Sequence, residues 1–142
     1  MRAVVSRVRE ASVVVDGVVV GALTGPGLLA LVGVTHTDTP AIATRMAAKL
    51  RGLRILAGER SCVDTGDGIL VISQFTLYGS TERGRRPSWT RAAPGDVAAP
   101  LIDAVVDALR TAGTEVACGI FGADMAVSST NDGPFTVILD VD

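Results

Sequence analysis

The chain is poor in the side chains that most enzymes use for proton transfer and metal binding. Its 142 residues hold one histidine (His36), one lysine (Lys49), one glutamine (Gln74) and one asparagine (Asn131). A multi-histidine zinc site is excluded, and a Ser-His-Asp or Cys-His catalyst would have to use His36. The two cysteines, Cys62 and Cys118, make no metal-ligand spacing and no dense disulfide framework, which suits a chain with reduced thiols. No phosphate-cradling G-x-x-x-x-G-K-[ST] occurs, because Lys49 follows Ala48. The longest apolar stretch, Gly27 to Val34, is far short of the ~20 residues of a membrane span. Arg2, Arg7, Arg9 and Glu10 interrupt the apolar run that a signal peptide needs. The expectation is a cytoplasmic protein with no membrane association, no cofactor and no bound metal.

What is present suits a folded domain. The chain is 48% hydrophobic and 20% charged, with valine prominent, and no repeat, linker or low-complexity tract divides it. A single domain over residues 1–142 is expected. The net charge of −2 hides an asymmetry. Residues 45–91 hold nine basic and four acidic side chains, whereas residues 92–142 hold one basic and eight acidic. A basic middle can attract a polyanion although the whole chain is slightly acidic; folding can equally mix these charges over one solvated surface.

Local patterns predict the elements. Residues 2–15 are Val-rich, and Asp16-Gly17 before Val18–Leu23 is a two-residue hairpin signal, because both turn positions need positive φ. Gly25-Pro26-Gly27 is a turn before a buried strand, Leu28 to Val34. Gly25, Gly27 and Ala30 match G-x-G-x-x-A, but a strand follows instead of the helix that a dinucleotide site requires. Thr39-Pro40 starts a helix with Ile42, Ala43, Met46, Ala47 and Leu50 on its apolar stripe. A second helix runs from Pro94 to Ala112, with Val97, Leu101, Val105 and Leu109 inside, Asp96, Asp103 and Asp107 outside, and Gly113 as its stop. Leu53–Leu56, Ile69–Ser73, Val116–Ile120, Met125–Ser129 and Phe135–Val141 read as strands. The fold class is α+β, a largely antiparallel sheet or barrel with two main helices packed on it.

Three segments depart from structural patterning. Ser73-Gln74-Phe75-Thr76-Leu77 continues a buried strand with polar side chains, which are costly in a core and cheap on a pocket wall; an edge strand of alternating exposure would also carry Ser73 and Gln74. Asn131-Asp132-Gly133-Pro134-Phe135-Thr136 is first of all a turn, but Gly-Pro also presents bare backbone suited to steric gating of a small ligand. Between them, residues 81–91 gather Arg83, Arg85, Arg86, Arg91 and Trp89. Such a loop can bind phosphates and stack a base, or serve as a solvated surface.

Taken together, S-Q-F-T-L at 73–77, T-E-R-G-x-R-P-S at 81–88, F-x-A-D-M at 121–125 and N-D-G-P-x-T at 131–136 resemble the D-aminoacyl-tRNA deacylases, in that order. Arg7-Val8, Ala11-Ser12-Val13 and the first hairpin fit as well. Arg85 within the arginine loop and one extra residue near Gly95 are minor departures. The resemblance implies a homodimeric editing hydrolase of translation quality control. It would cleave the ester of D-aminoacyl-tRNA, and of mischarged glycyl-tRNA, and spare L-amino acids. Ser73, Gln74, Phe75 and Thr76 would form the catalytic pocket, with the amides around Phe75 and Thr76 stabilising the oxyanion. Gly133 and Pro134, joined by a cis bond, would enter the pocket of the other subunit as a chiral gate, and Arg7 would support it or make an ordinary strand salt bridge. Arg83, Arg85, Arg86 and Arg91 would bind tRNA. Phe121, Ala123 and Met125 would line an adenosine pocket or pack in the core. His36, Cys62 and Cys118 are left as structural. The resemblance also places catalysis on the substrate's ribose 2′-hydroxyl, which fits a Thr76 with no base beside it. The alternatives are a non-catalytic RNA-binding dimer and a small-molecule acyl hydrolase or endoribonuclease-like dimer.

Overall fold

The computed structural model describes residues 1–82 and 84–142. Its elements are β1 (Arg2–Val15), β2 (Val18–Leu23), β3 (Gly27–Gly33), α1 (Pro40–Gly52), α2 (Cys62–Thr65), β4 (Gly68–Ser73), the 3-10 turn Phe75–Tyr78, α3 (Gly95–Thr111), β5 (Val116–Cys118) and β6 (Ala126–Asp140). The first hairpin forms as expected: Asp16 and Gly17 take φ values of 49° and 77°.

One sheet organises the chain, in the order β2-β1-β3-β4-β5, with β6 added to β1. β1 is long enough to serve several partners. β6 pairs along it from Arg2 to Val14, while β3 and then β2 share its other edge, all antiparallel. The remaining pairings, β3–β4 and β4–β5, are parallel, so the sheet is mixed. Parallel neighbours need long crossovers, and α1 with α2 and then α3 supply them. The sheet curls until β2 approaches β5: a Cβ at Gly21 would lie 2.5 Å from the carbonyl oxygen of Cys118. This gives the barrel-like α+β architecture.

Both faces of the central strands are covered, so β3 reads as a continuous apolar run. One core joins β3 and β4 to Ala43, Met46, Ala47 and Leu50 of α1 and to Leu101, Val105 and Leu109 of α3. A second core, with Val8, Val13, Leu29, Leu70 and Ile72, fills the inside of the curl. Burying one such side chain contributes about 1.5–3 kcal/mol. Thr39 caps α1, with its hydroxyl accepting from the Ile42 amide at 3.4 Å.

Four sequence expectations are corrected. Val97 is 39% exposed; Ala98, Ile102 and Val106 join the buried side of α3 instead. Leu53–Leu56 is a loop with one bridge, Leu56 to Arg60, followed by α2, whose Asp64 accepts from the Ser61 amide and hydroxyl. Those bonds hold the Asp64 carboxyl below its ordinary range. Residues 74–77 do not continue the strand: β4 ends at Ser73, in keeping with the strand expected at Ile69–Ser73, and Phe75–Tyr78 folds into the 3-10 turn. The two C-terminal strands are one, β6, with Asn131–Phe135 inside it.

Candidate functional site

The end of β4 creates the site. The Gln74 amide makes one last sheet-like bond to the Val32 carbonyl, at 2.7 Å, and the chain then turns back over Gly33. Only glycine fits beneath this turn, since a Cβ at Gly33 would sit 2.9 Å from the Gln74 carbonyl oxygen and 3.1 Å from Leu77. The turn leaves the Phe75 and Thr76 amides at its opening, where a helical turn offers no internal acceptor. Neither donates to another backbone carbonyl among the described residues.

These residues border a cleft of about 560 Å³. Its floor is the end of the sheet, at Val32, Val34, Ile72 and Ser73; Gln74 and Phe75 form one wall, and Phe121, Ala123 and Met125 another. Trp89 stands beside Phe75 with ring centroids 5.4 Å apart, edge to face. The indole rests on Gly79, where a Cβ would lie 2.5 Å from the ring. Small residues, Ala92, Ala93, Gly95 and Ala98, keep the α3 side open.

Among the described residues, no titratable side chain lines the cleft. Thr76 lies beside it, and its hydroxyl oxygen accepts a 2.6 Å bond from the Gln74 amide. An amide donor does not remove the hydroxyl proton, so Thr76 is not activated here. His36 is tied to the Thr90 carbonyl through Nε2 at 2.9 Å; a carbonyl only accepts, so Nε2 carries the proton. Cys62 is buried, which pushes its thiol up to about 12, and Cys118 lies 3.8 Å from the Arg110 guanidinium. No group of three or more His, Cys, Asp or Glu is assembled among the described residues.

The Gly-Pro segment lies elsewhere: neither Gly133 nor Pro134 lines the cleft. In β6, Asn131 sits opposite Val8 and Thr136 opposite Ser6, so the four residues between them bulge out against Arg7 alone. The Gly133–Pro134 bond is cis, and both residues are exposed. Arg7 holds the bulge: its Nε donates to the Asp132 carbonyl at 2.9 Å, its Nη1 to the Ile55 carbonyl at 3.2 Å, and its guanidinium lies over the Phe135 ring. Arg9 pairs with the Asp132 carboxylate at 3.0 Å. Asn131 clamps the far side, with Oδ1 accepting from the Phe135 amide and Nδ2 donating to Thr136. Asn131 and Asp132 are organising residues that the motif contained without revealing their partners.

The arginine loop is closed by reciprocal bonds between Ser80 and Ser88, at 2.8 and 2.9 Å. Arg85, Arg86 and Arg91 are exposed, and Arg83 lies outside the described residues.

A cleft with unengaged amides and a separate, rigidly held Gly-Pro bulge is thus the geometry to be matched. The family described as D-Tyr-tRNA(Tyr) deacylase matches residues 4–140. The chain belongs to this deacylase family. Relatives named D-aminoacyl-tRNA deacylase, from Thermobifida fusca and Streptomyces coelicolor, are 63% and 62% identical, each covering 99% of this chain and 100% of the relative. By family the protein is therefore a hydrolase, a D-aminoacyl-tRNA deacylase. A solved structure described as c-Myc DNA unwinding element binding protein superimposes with a TM-score of 0.91 at 34% identity, over 99% of this chain and 98% of that one. Another, a probable eukaryotic D-amino acid tRNA deacylase, shares the fold with a TM-score of 0.86 at 18% identity, over 97% of each chain. Among the described residues, no helix of this deacylase is long and apolar enough to cross a membrane.

Proposed function

We propose that this deacylase hydrolyses the ester between a D-amino acid, or glycine, and the terminal adenosine of tRNA, as a cytoplasmic homodimer. The observation that carries the reading is the cleft with amide donors and no titratable side chain. Such a site positions a reactive ester and stabilises negative charge, but it must take its proton transfer from the substrate. Water adds to the ester carbonyl, assisted by the vicinal ribose 2′-hydroxyl. The Phe75 and Thr76 amides receive the oxyanion. The bond to the 3′-oxygen then breaks, releasing free amino acid and tRNA with its hydroxyl restored. One oxyanion donor is typically worth about 3 kcal/mol.

In this reading, Gly133 and Pro134 of one subunit enter the cleft of the other and present backbone where an L side chain would go. A D side chain points away, and glycine has none. The exposed bulge, placed apart from its own cleft, supports a gate acting between subunits. Selection by clash rejects without needing favourable contacts to any one side chain. Ser73 and Gln74 shape the pocket, Phe121 and Met125 flank the adenosine, and Arg7 supports the gate.

The test is hydrolysis of D-Tyr-tRNA, L-Tyr-tRNA and Gly-tRNA by purified protein, with chelator present. Loss of the D and Gly esters with the L ester spared is expected. Equal cleavage of D and L esters would remove the gate, and abolition by chelator would remove the metal-free mechanism. Binding of the tRNA without any turnover would favour the second reading, a non-catalytic RNA-binding dimer. That reading gains some support from the structural relative described as a DNA-binding protein.

The exposed arginines should set affinity for the nucleic acid. Replacing Arg85 and Arg86 by Ala should weaken tRNA binding and make its dependence on salt shallower by roughly 0.7–0.9 per lost phosphate contact on a log–log plot. Binding titrations across a salt series check this; an unchanged affinity and slope would make the loop a solvated surface only.

A further inference from the structure

The loop after α1, residues 53–61, has no role in the reading above, yet it is tied to the bulge. Its Ile55 carbonyl accepts from Arg7, the same guanidinium that holds Asp132. It closes on itself where the Leu56 amide donates to the Arg60 carbonyl at 2.9 Å, turning through Gly58 and Glu59 with φ values of 73° and 56°.

Both arginines of this loop are exposed and anchored by the same device. Arg54 donates Nε to the Glu59 carbonyl at 2.8 Å, and Arg60 donates Nε to the Ala57 carbonyl at 3.0 Å. Each stem is fixed by one bond while the two terminal nitrogens of each fork stay available. Neither guanidinium has a carboxylate within salt-bridge distance among the described residues. From Arg45 to Arg60 the chain carries five basic side chains against Glu59 alone. Arg45 and Arg51 reach across to the carbonyls of Asp142 and Ala112, and Lys49 is exposed on α1; Arg54 and Arg60 are the two cations of the loop itself, with Glu59 and Asp64 beside them. A groove of about 440 Å³ is lined by Arg7, Arg54 and Phe135, and Arg60 borders the neighbouring groove that Arg54 also lines.

We infer that the Arg54–Arg60 loop binds phosphates of the single-stranded 3′ end of the tRNA whose aminoacyl group occupies the other subunit's cleft. The inference rests on the dimeric reading above. If the bulge closes the other subunit's cleft, the loop hydrogen-bonded behind it lies at the mouth, where the phosphodiesters preceding the terminal adenosine must pass. Pre-oriented guanidinium forks match phosphate oxygens in pairs, and a held stem loses less freedom on binding. Each site would then take its ester from one subunit and grip the RNA with the other.

The test uses Arg54→Gln with Arg60→Gln, which removes charge and keeps length. Two substrates separate the roles: D-Tyr-tRNA, and D-tyrosyl adenosine, which has the ester and no phosphate. At about 50 mM salt, kcat/KM for the tRNA should fall roughly tenfold relative to kcat/KM for the adenosine ester, mainly through KM. The log–log salt slope for the tRNA should become shallower by about 1.4, two single-strand contacts at about 0.7 each. Arg54→Lys with Arg60→Lys should restore most of the slope. An equal loss on both substrates would show that the loop only props Arg7 and the gate, and overturn the inference. Unchanged kinetics on both would reduce the loop to solvated surface. If the unmodified protein fails on D-Tyr-tRNA itself, the parent reading falls and takes the inference with it.

Discussion

D-Tyr-tRNA ending in 2′-deoxyadenosine should be hydrolysed about 10²–10⁴-fold more slowly than the normal tRNA, the range that a lost acid–base group commonly causes. Thr76→Ala should stay within about tenfold of the unaltered protein, the weight of one neutral hydrogen bond. The contrast follows from what surrounds the cleft. Its lining has no titratable side chain among the described residues. The Thr76 hydroxyl accepts from the Gln74 amide, which cannot take up its proton. The sole imidazole is held by the Thr90 carbonyl. Single-turnover rates with both tRNAs and both proteins decide the matter. A Thr76→Ala protein that binds tRNA, keeps its fold and has only background activity would make Thr76 the nucleophile, and a deoxy substrate cleaved at the normal rate would end the substrate-assisted mechanism.

Gly133→Ala should cost at least tenfold in D-Tyr-tRNA hydrolysis and narrow the D-to-L preference. Gly133 has a φ of 130°, where an L side chain is strained, and a Cβ there would lie 2.8 Å from Arg7 Nη2 and 3.2 Å from the Phe135 amide nitrogen. Backbone strain of this kind costs about 1–3 kcal/mol. Two responses are open to the chain. If the bulge keeps its shape, Arg7 must move from the Asp132 carbonyl and the protein is destabilised. If the bulge relaxes, stability survives and the gate is misplaced. Measuring thermal unfolding beside D and L ester hydrolysis separates the two responses, and unchanged kinetics with an unchanged D-to-L ratio would show that Gly133 has no part in selection. Gly113, by comparison, has a positive φ but nothing within 4 Å of an added Cβ among the described residues, so strain without a neighbour is the control.

The site motifs were legible because they break the surrounding pattern, and the helices and first hairpin because their signals are local. What was not legible depends on distant partners. Ser73 ends β4 because the following turn packs over Gly33, forty positions earlier in the chain and beyond the reach of any local signal. Leu53–Leu56 has the apolar content of a strand, yet Ile55 offers its carbonyl to Arg7 instead of a sheet. Asn-Asp-Gly-Pro carries the residues of a turn, but β1 shifts register around Arg7 and absorbs the segment as a bulge within one strand. Val97 leaves the expected buried stripe because α3 faces the sheet with a slightly rotated one, on which the small Ala98 also leaves room for the cleft.

β1 is hydrogen-bonded on one edge to strands made soon after it, and on the other to β6. During synthesis this second edge waits unpaired until almost the whole chain has emerged, a delay typical of non-local pairing and a point of exposure to aggregation. The same order decides what a shortened chain can do. A chain stopped before β6 would carry the cleft residues through Met125 but would lack Val127 of the cleft and the whole Gly133–Pro134 bulge. In the function proposed above, the Gly133–Pro134 gate is carried by this same strand, so discrimination between enantiomers would arrive only with the pairing that completes β1.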